Sequence, residues 1–208
     1  APDVEHGKLE ELVWWVIPLE IVLVLGALTW GSTHQLDPKR ALEGAPPLQV
    51  QVVSLDWKWL FIYPEQGIAT VNYVVMPVDR PVRFSITADA PMNSFWIPQL
   101  GGQIYAMTGM ATTLNLVANE PGTYAGAAAN YTGDGFAKMK FAALALPAAD
   151  FDTWAASIKA ASSTLALADY QALAEPSTMG PAQYASVESN LFDSVIKQFM
   201  DARSPIHH

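Results

Sequence analysis

From Leu12 to Trp30 nearly every position of the chain is apolar. Nineteen helical residues come close to the roughly 30 Å of a bilayer's hydrocarbon core. Trp14, Trp15 and Trp30 stand at the ends of the run, where interfacial aromatics belong. The run is apolar on every face, which favours a membrane span over a buried helix of a soluble protein. No basic stretch precedes it and no small-residue cleavage site closes it, so a signal peptide is disfavoured. A polar, proline-containing linker follows, Pro38 to Pro47. The pattern then switches to period two. Leu48, Val50 and Val52 alternate with Gln49 and Gln51; Val82, Phe84 and Ile86 alternate with Arg83, Ser85 and Thr87; Met139, Phe141 and Ala143 follow Lys138 and Lys140 in the same way. Trp57, Trp59, Phe61 and Tyr63 read as alternate positions of one strand. Such alternation predicts strands with one buried face, and many short strands with Gly/Pro turns predict a sandwich or small barrel. After Pro147 the spacing becomes helical. Phe151, Trp154, Ile158 and Ala161 mark one helix, Leu165, Ala168, Tyr170 and Leu173 a second, and Leu191, Phe192, Val195, Ile196 and Phe199 a third. These stripes are expected to pack on the β region or on a neighbouring subunit.

Two residues disturb the apolar run. Pro18 removes one backbone hydrogen bond and predicts a kink near the start of the helix. Glu20 places a carboxyl inside the span. Facing lipid in its ionised form costs about 2.5–3.5 kcal/mol on the lenient insertion scale. Glu20 is therefore expected to face a protein partner, to be protonated or to snorkel. All three suit a subunit better than a solitary single-pass protein.

Composition narrows the function classes. The 208 residues carry a formal net charge of −9, which repels phosphate backbones and argues against nucleic-acid binding. Cysteine is absent, which excludes disulfides, thiolate metal sites and a catalytic thiol.

Three motifs are specific: Asp56-Trp57-Lys58-Trp59, the ten residues from Tyr63 to Asn72, and Gln103-Ile104-Tyr105-Ala106-Met107. With Met92-Asn93-Ser94-Phe95-Trp96-Ile97-Pro98 and Glu120-Pro121-Gly122-Thr123-Tyr124, the chain resembles subunit II of the haem-copper terminal oxidases, in the quinol-oxidising branch of the cytochrome bo type. The resemblance runs from Lys8 to about Met200. It implies an all-β cupredoxin-like Greek-key sandwich or barrel, preceded by a transmembrane helix and followed by short C-terminal helices. The expected organisation is a membrane part (1–37, helix about 12–30), a linker (38–47), a periplasmic cupredoxin-like domain (48–146) and a helical extension (147–208). The family has two membrane helices ahead of this domain, of which the sequence supplies one. Flanking charge, Lys8 before the span against Lys39 and Arg40 after it, leans weakly towards a cytoplasmic C-terminal domain. The family places that domain on the outer side of the bacterial inner membrane, and that placement is the expectation adopted.

The resemblance also says where the copper-bearing relatives hold their dinuclear centre. Their first histidine falls at Asn93, their bridging cysteines at Ala128 and Thr132, their carbonyl-donating glutamate at Asn130 and their second histidine at Phe136. Only the methionine, Met139, is retained. Copper electron-transfer sites need thiolate and imidazole donors. Alanine and phenylalanine offer none, and a lone thioether is too weak, so no metal is expected here. Neutral Asn130 likewise puts the family's nearby magnesium site in doubt. Met139 reads as core packing and Asn93 as a partner for buried backbone groups. The aromatic run from Trp57 reads as core or interface rather than an electron path or a quinol contact.

One chemical role remains. The family uses a subunit II carboxylate before the membrane helix at the mouth of a proton pathway. Glu10 lies four residues before Trp14 and Glu11 three before it; both are candidates, Glu10 the favoured one. A carboxylate at a membrane surface can collect protons and pass them inward. It can equally be a solvated acidic helix start favoured by the helix dipole. The expected function is that of a structural subunit of a proton-pumping ubiquinol oxidase. Haems and copper, and quinol as substrate, belong to subunit I, with subunits III and IV and membrane lipid as further partners. The competing readings are subunit II of a cytochrome c oxidase and a copper-less, membrane-anchored binding module.

Overall fold

A computed structural model describes residues 7–35, 37, 42 and 44–201. The chain divides into two compact units, Ala1–Arg40 and Ala41–His208. The first holds one helix, α1 (Lys8–Gln35), which is long and apolar enough to cross a membrane. It exceeds the 12–30 segment at both ends, because the polar residues flanking the apolar run continue the same backbone. Pro18 lies inside α1, and the helix continues on both sides of it. Lys39 and Arg40, and linker residues 38–41 and 43, fall outside the described residues.

The second unit is a two-sheet sandwich. In chain order its strands are β1 (Leu48–Leu55), β2 (Lys58–Tyr63), β3 (Ile68–Val71), β4 (Tyr73–Pro77), β5 (Val82–Ala88), β6 (Asn93–Trp96), β7 (Ile104–Ala106), β8 (Thr112–Leu116), β9 (Gly122–Ala128) and β10 (Lys140–Leu146). Then come α2 (Ala148–Lys159), β11 (Thr164–Leu165), α3 (Leu167–Ala174), β12 (Ala182–Tyr184), β13 (Ser186–Val187) and α4 (Leu191–Asp201). One sheet has the order β12-β3-β2-β1-β5-β8, the other β4-β10-β9-β6-β7, and β11 pairs with β13. Most neighbours are antiparallel; β1–β5 and β10–β4 are parallel, closing the Greek-key crossovers.

Alternation holds from Leu48 to Val52 in β1 and from Val82 to Ile86 in β5, but Thr87, expected on the polar face, is buried, and β2 is buried at all six positions. Trp59, Phe61 and Tyr63 point into the sandwich, where Phe95 stacks on Phe141 (centroids 5.1 Å) and meets Trp59 edge-on at 5.4 Å. Leu60 and Ile62 point the other way, into a second core closed by Leu165, Tyr170, Leu173, Leu191, Phe192 and Val195. The stripes of α3 and α4 thus dock on the outer face of the first sheet, whereas Phe151, Ala155 and Ile158 of α2 join the main sandwich core. Ala161 lies beyond α2, and Leu165 belongs to β11 rather than to α3.

Polar ties hold the C-terminal segment down. Lys58 is buried, and its ammonium donates to the Glu175 carbonyl and the Ser177 hydroxyl, both at 2.7 Å. Desolvation holds its pKa below the ordinary lysine value. Asn72, in the left-handed region at φ 59°, accepts from the Trp59 amide (2.9 Å) and donates to the Met179 carbonyl (2.8 Å). Across the sandwich the buried Tyr63 hydroxyl accepts from the Val75 N–H (2.7 Å) and donates to the Val75 carbonyl (3.1 Å), satisfying edge strand β4 from the opposite sheet.

Candidate functional site

The positions that the resemblance aligns with copper ligands lie on the β9–β10 connection and at the start of β6. Asn93 is buried; its Nδ2 donates to Met139 Sδ at 3.0 Å, and its Oδ1 accepts from the Ser94 amide at 2.8 Å. Ser94 Oγ donates to Asn130 Oδ1 (2.8 Å), while the Ala129 amide donates to the Ser94 carbonyl (3.2 Å). Ala128 ends β9, and its amide donates to the Met139 carbonyl at 3.1 Å. Thr132 and Phe136 share this loop with different partners. The Thr132 carbonyl accepts from Trp57 Nε1 at 3.1 Å, and Phe136 meets Tyr131 edge-on at 5.7 Å.

Met139 fills core space as predicted, from the residue just before β10 rather than from within the strand. Trp57 departs from its expected place. It is not a strand residue but occupies a turn at φ 63°, with its indole over Gly133 and Gly135; a Cβ at Gly135 would collide with the ring, and one at Gly133 would crowd it. Trp57 and Ser94 are the loop's principal clamps, and the sequence did not single them out for that role. Ser94 carries no chemical signature of its own. By type Trp57 fits the strand, because a positive φ is rare for a bulky residue.

This donor set does not fit a dinuclear copper centre. Its one soft ligand, the Met139 thioether, already accepts the Asn93 amide, and Ala128 and Phe136 have no lone pair to offer. Among the described residues no three His, Cys, Asp or Glu side chains come together. The loop is closed instead by amide, hydroxyl and indole hydrogen bonds.

The other candidates, Glu10 and Glu11, lie in the first turn of α1. The Glu11 amide donates to the Gly7 carbonyl at 2.9 Å, and the Glu10 carboxylate folds back beside Gly7. Successive helical residues differ by about 100°, so the two carboxylates leave on different faces, Glu10 over Trp14 and Glu11 over Trp15.

Residues 65–146 match the family described as cytochrome c oxidase subunit II, periplasmic domain, and residues 159–203 match the COX aromatic rich motif. The fold resembles the periplasmic domain of subunit II of cytochrome oxidase (CoxB) of Bradyrhizobium japonicum. That match has a TM-score of 0.53 and 20% identity, covering 56% of this chain and 96% of that one. A chain from a heme-copper terminal oxidase dimer matches with TM-score 0.52 and 14% identity, over 66% of this chain and 99% of that one. The sandwich is therefore the cupredoxin-like domain of an oxidase second subunit. Over its full length the chain is 50% identical to a cytochrome bo(3) ubiquinol oxidase subunit 2 of Pseudomonas putida, covering 67% of that protein. It is 47% identical to a ubiquinol oxidase subunit 2 of Acetobacter aceti, over 93% of this chain and 64% of that one. It is 42% identical to a cytochrome bo(3) ubiquinol oxidase subunit 2 of Buchnera aphidicola, over 100% of this chain and 73% of that one. The chain belongs to the ubiquinol oxidase subunit 2 family. It spans about two thirds of the length of these relatives.

Proposed function

We propose that this chain serves as subunit II of a proton-pumping ubiquinol oxidase, in which quinol oxidation drives reduction of oxygen to water. Haems and copper reside in subunit I, and this chain binds neither; subunits III and IV complete the assembly. Helix α1 crosses the bacterial inner membrane, and the cupredoxin-like domain caps the complex on the periplasmic side. The observation that carries the reading is the loop from Ala128 to Met139, shaped for a metal in the fold's copper-bearing members and here closed by Asn93, Ser94 and Trp57. Electrons that cannot pass through such a centre enter from a membrane-soluble donor instead. The reading is tested on the intact complex purified in mild detergent. Reduced quinone is expected to support oxygen uptake and reduced cytochrome c is not. The preparation is expected to lack the mixed-valence copper spectrum of a dinuclear site. A stoichiometric mixed-valence signal overturns it.

The carboxylates at the start of α1 supply a proton-pathway entrance. Glu10→Ala, or Glu11→Ala if the other face is used, is expected to slow turnover severalfold while the amount of subunit in the complex stays constant. The different directions of the two side chains make the single variants informative, since only one is expected to matter. Wild-type turnover in both sinks the assignment.

A further inference from the structure

Trp57, Lys58 and Trp59 follow one another at the turn into β2, and each is held by a partner elsewhere in the chain. Trp57 donates its indole N–H to the Thr132 carbonyl of the β9–β10 loop (3.1 Å) and lies over Gly133 and Gly135. Lys58 donates its ammonium to the Glu175 carbonyl and the Ser177 hydroxyl. Trp59 donates its amide to Asn72 Oδ1, and Asn72 Nδ2 in turn donates to the Met179 carbonyl. The copper-less loop and the segment from Glu175 to Met179 thus grip the same short stretch of backbone.

That stretch needs holding. Asp56 and Trp57 are the two residues between the paired Leu55 and Lys58, and Trp57 sits at φ 63°. A bulky side chain in the left-handed region persists only where its surroundings over-determine it. The segment Glu175–Met179, between α3 and β12, is exposed at every residue and belongs to no helix or strand. It has no buried apolar side chain to seat it, so its placement rests on the polar ties to Lys58 and Asn72. We propose that this strap and the β9–β10 loop form one coupled device: the strap fixes Lys58, which keeps Trp57 in the conformation that closes the loop. A loop with no metal donors to fasten it is thereby fastened through its neighbour. The coupling is a property of the β domain and stands whether or not the oxidase reading does.

Amide hydrogen exchange of the full chain in mild detergent tests it, since exchange reports local opening segment by segment. The loop is read at Ala128, Ala129 and Met139, whose amides donate to the carbonyls of Met139, Ser94 and Phe136. Lys58→Met keeps the length of the stem and lacks the ammonium. It is expected to speed exchange at those amides severalfold while β5 stays protected. Ser177→Ala, at an exposed position, removes one tie and is expected to act in the same direction, less strongly. Lys159→Ala cuts a tie from α2 to the Gln66 carbonyl and is expected to leave the loop at the wild-type rate. Coupling is reciprocal. Trp57→Gly, which suits the positive φ and lacks the indole, is therefore expected to speed exchange in Ala182–Tyr184, the strand into which the strap leads. Wild-type loop exchange in Ser177→Ala and in Lys58→Met overturns the proposal; if Lys58→Met does not fold, Ser177→Ala decides. A rise shared equally by β5, an equal loop response to Lys159→Ala, or a Trp57→Gly chain with Ala182–Tyr184 unchanged overturns it too.

Discussion

Replacing Phe95 by alanine is expected to destabilise the β domain by about 3–5 kcal/mol, the range for deleting a buried aromatic ring. Phe95 is fully buried, and its ring touches those of Trp59, Phe61, Phe84 and Phe141, drawn from both sheets. The cavity would open at the centre of the sandwich, where four rings depend on one another and cannot collapse without leaving their rotamers. For a unit of this size the midpoint of thermal unfolding is expected to fall by roughly 6–20 °C. Near-ultraviolet circular dichroism of the purified chain checks it, because Trp59 loses its edge-on partner. Phe95→Leu, which keeps most of the volume, is expected to cost less than half as much. Equal stability of Phe95→Ala and wild type would contradict the packing described.

Tyr63→Phe is the second large effect, and it removes only an oxygen. That oxygen serves both backbone groups of Val75 on edge strand β4. Without it a buried N–H and a buried C=O lose their partner, at a cost of about 1–3 kcal/mol each when nothing replaces the bond. Burial also pushes the Tyr63 phenol above its ordinary value of 10.0. Tyr170 is raised too, by burial first and then by the hydrogen bond it donates to Asp89. The sign follows from proton binding. Below pH 10 these phenols are neutral whether folded or unfolded, and stability is unaffected by their shifts. As pH rises past 10 the unfolded chain sheds protons that the native one keeps, so stability is progressively lost. Denaturant titrations are expected to show a declining midpoint above about pH 10. In Tyr63→Phe that decline should be shallower, from a lower starting point.

Much of this architecture is legible in the chain because the physics is local. Alternation at Leu48, Val50 and Val52 and the helical stripe from Leu191 to Phe199 each reflect one element's own geometry. What escapes is set by partners far along the chain. Lys58 occupies a strand position that reads as solvent-facing, yet it is buried because Glu175 and Ser177 come back over it. Trp57 fits the alternation of β2 by type, but a left-handed turn takes it out of the strand and over Gly133 and Gly135. In the candidate loop, the positions themselves follow from the residues that replace the expected ligands. The web from Asn93 to Met139 and from Ser94 to Asn130 could not be foreseen, since each bond joins residues dozens of positions apart.

The double-sided burial of β2 bears on how the protein is born. A ribosome delivers β1, β2, β3, β5 and β8 of the first sheet well before β12 and the residues from Leu165 to Val195 that shield their outer side. During that interval Leu60, Ile62 and Val71 form a sticky, uncovered surface on an already pleated scaffold. Emergence of the segment from Leu165 to Val195, rather than pairing of the first strands, thus marks the end of the window in which a nascent molecule is prone to clump with its neighbours.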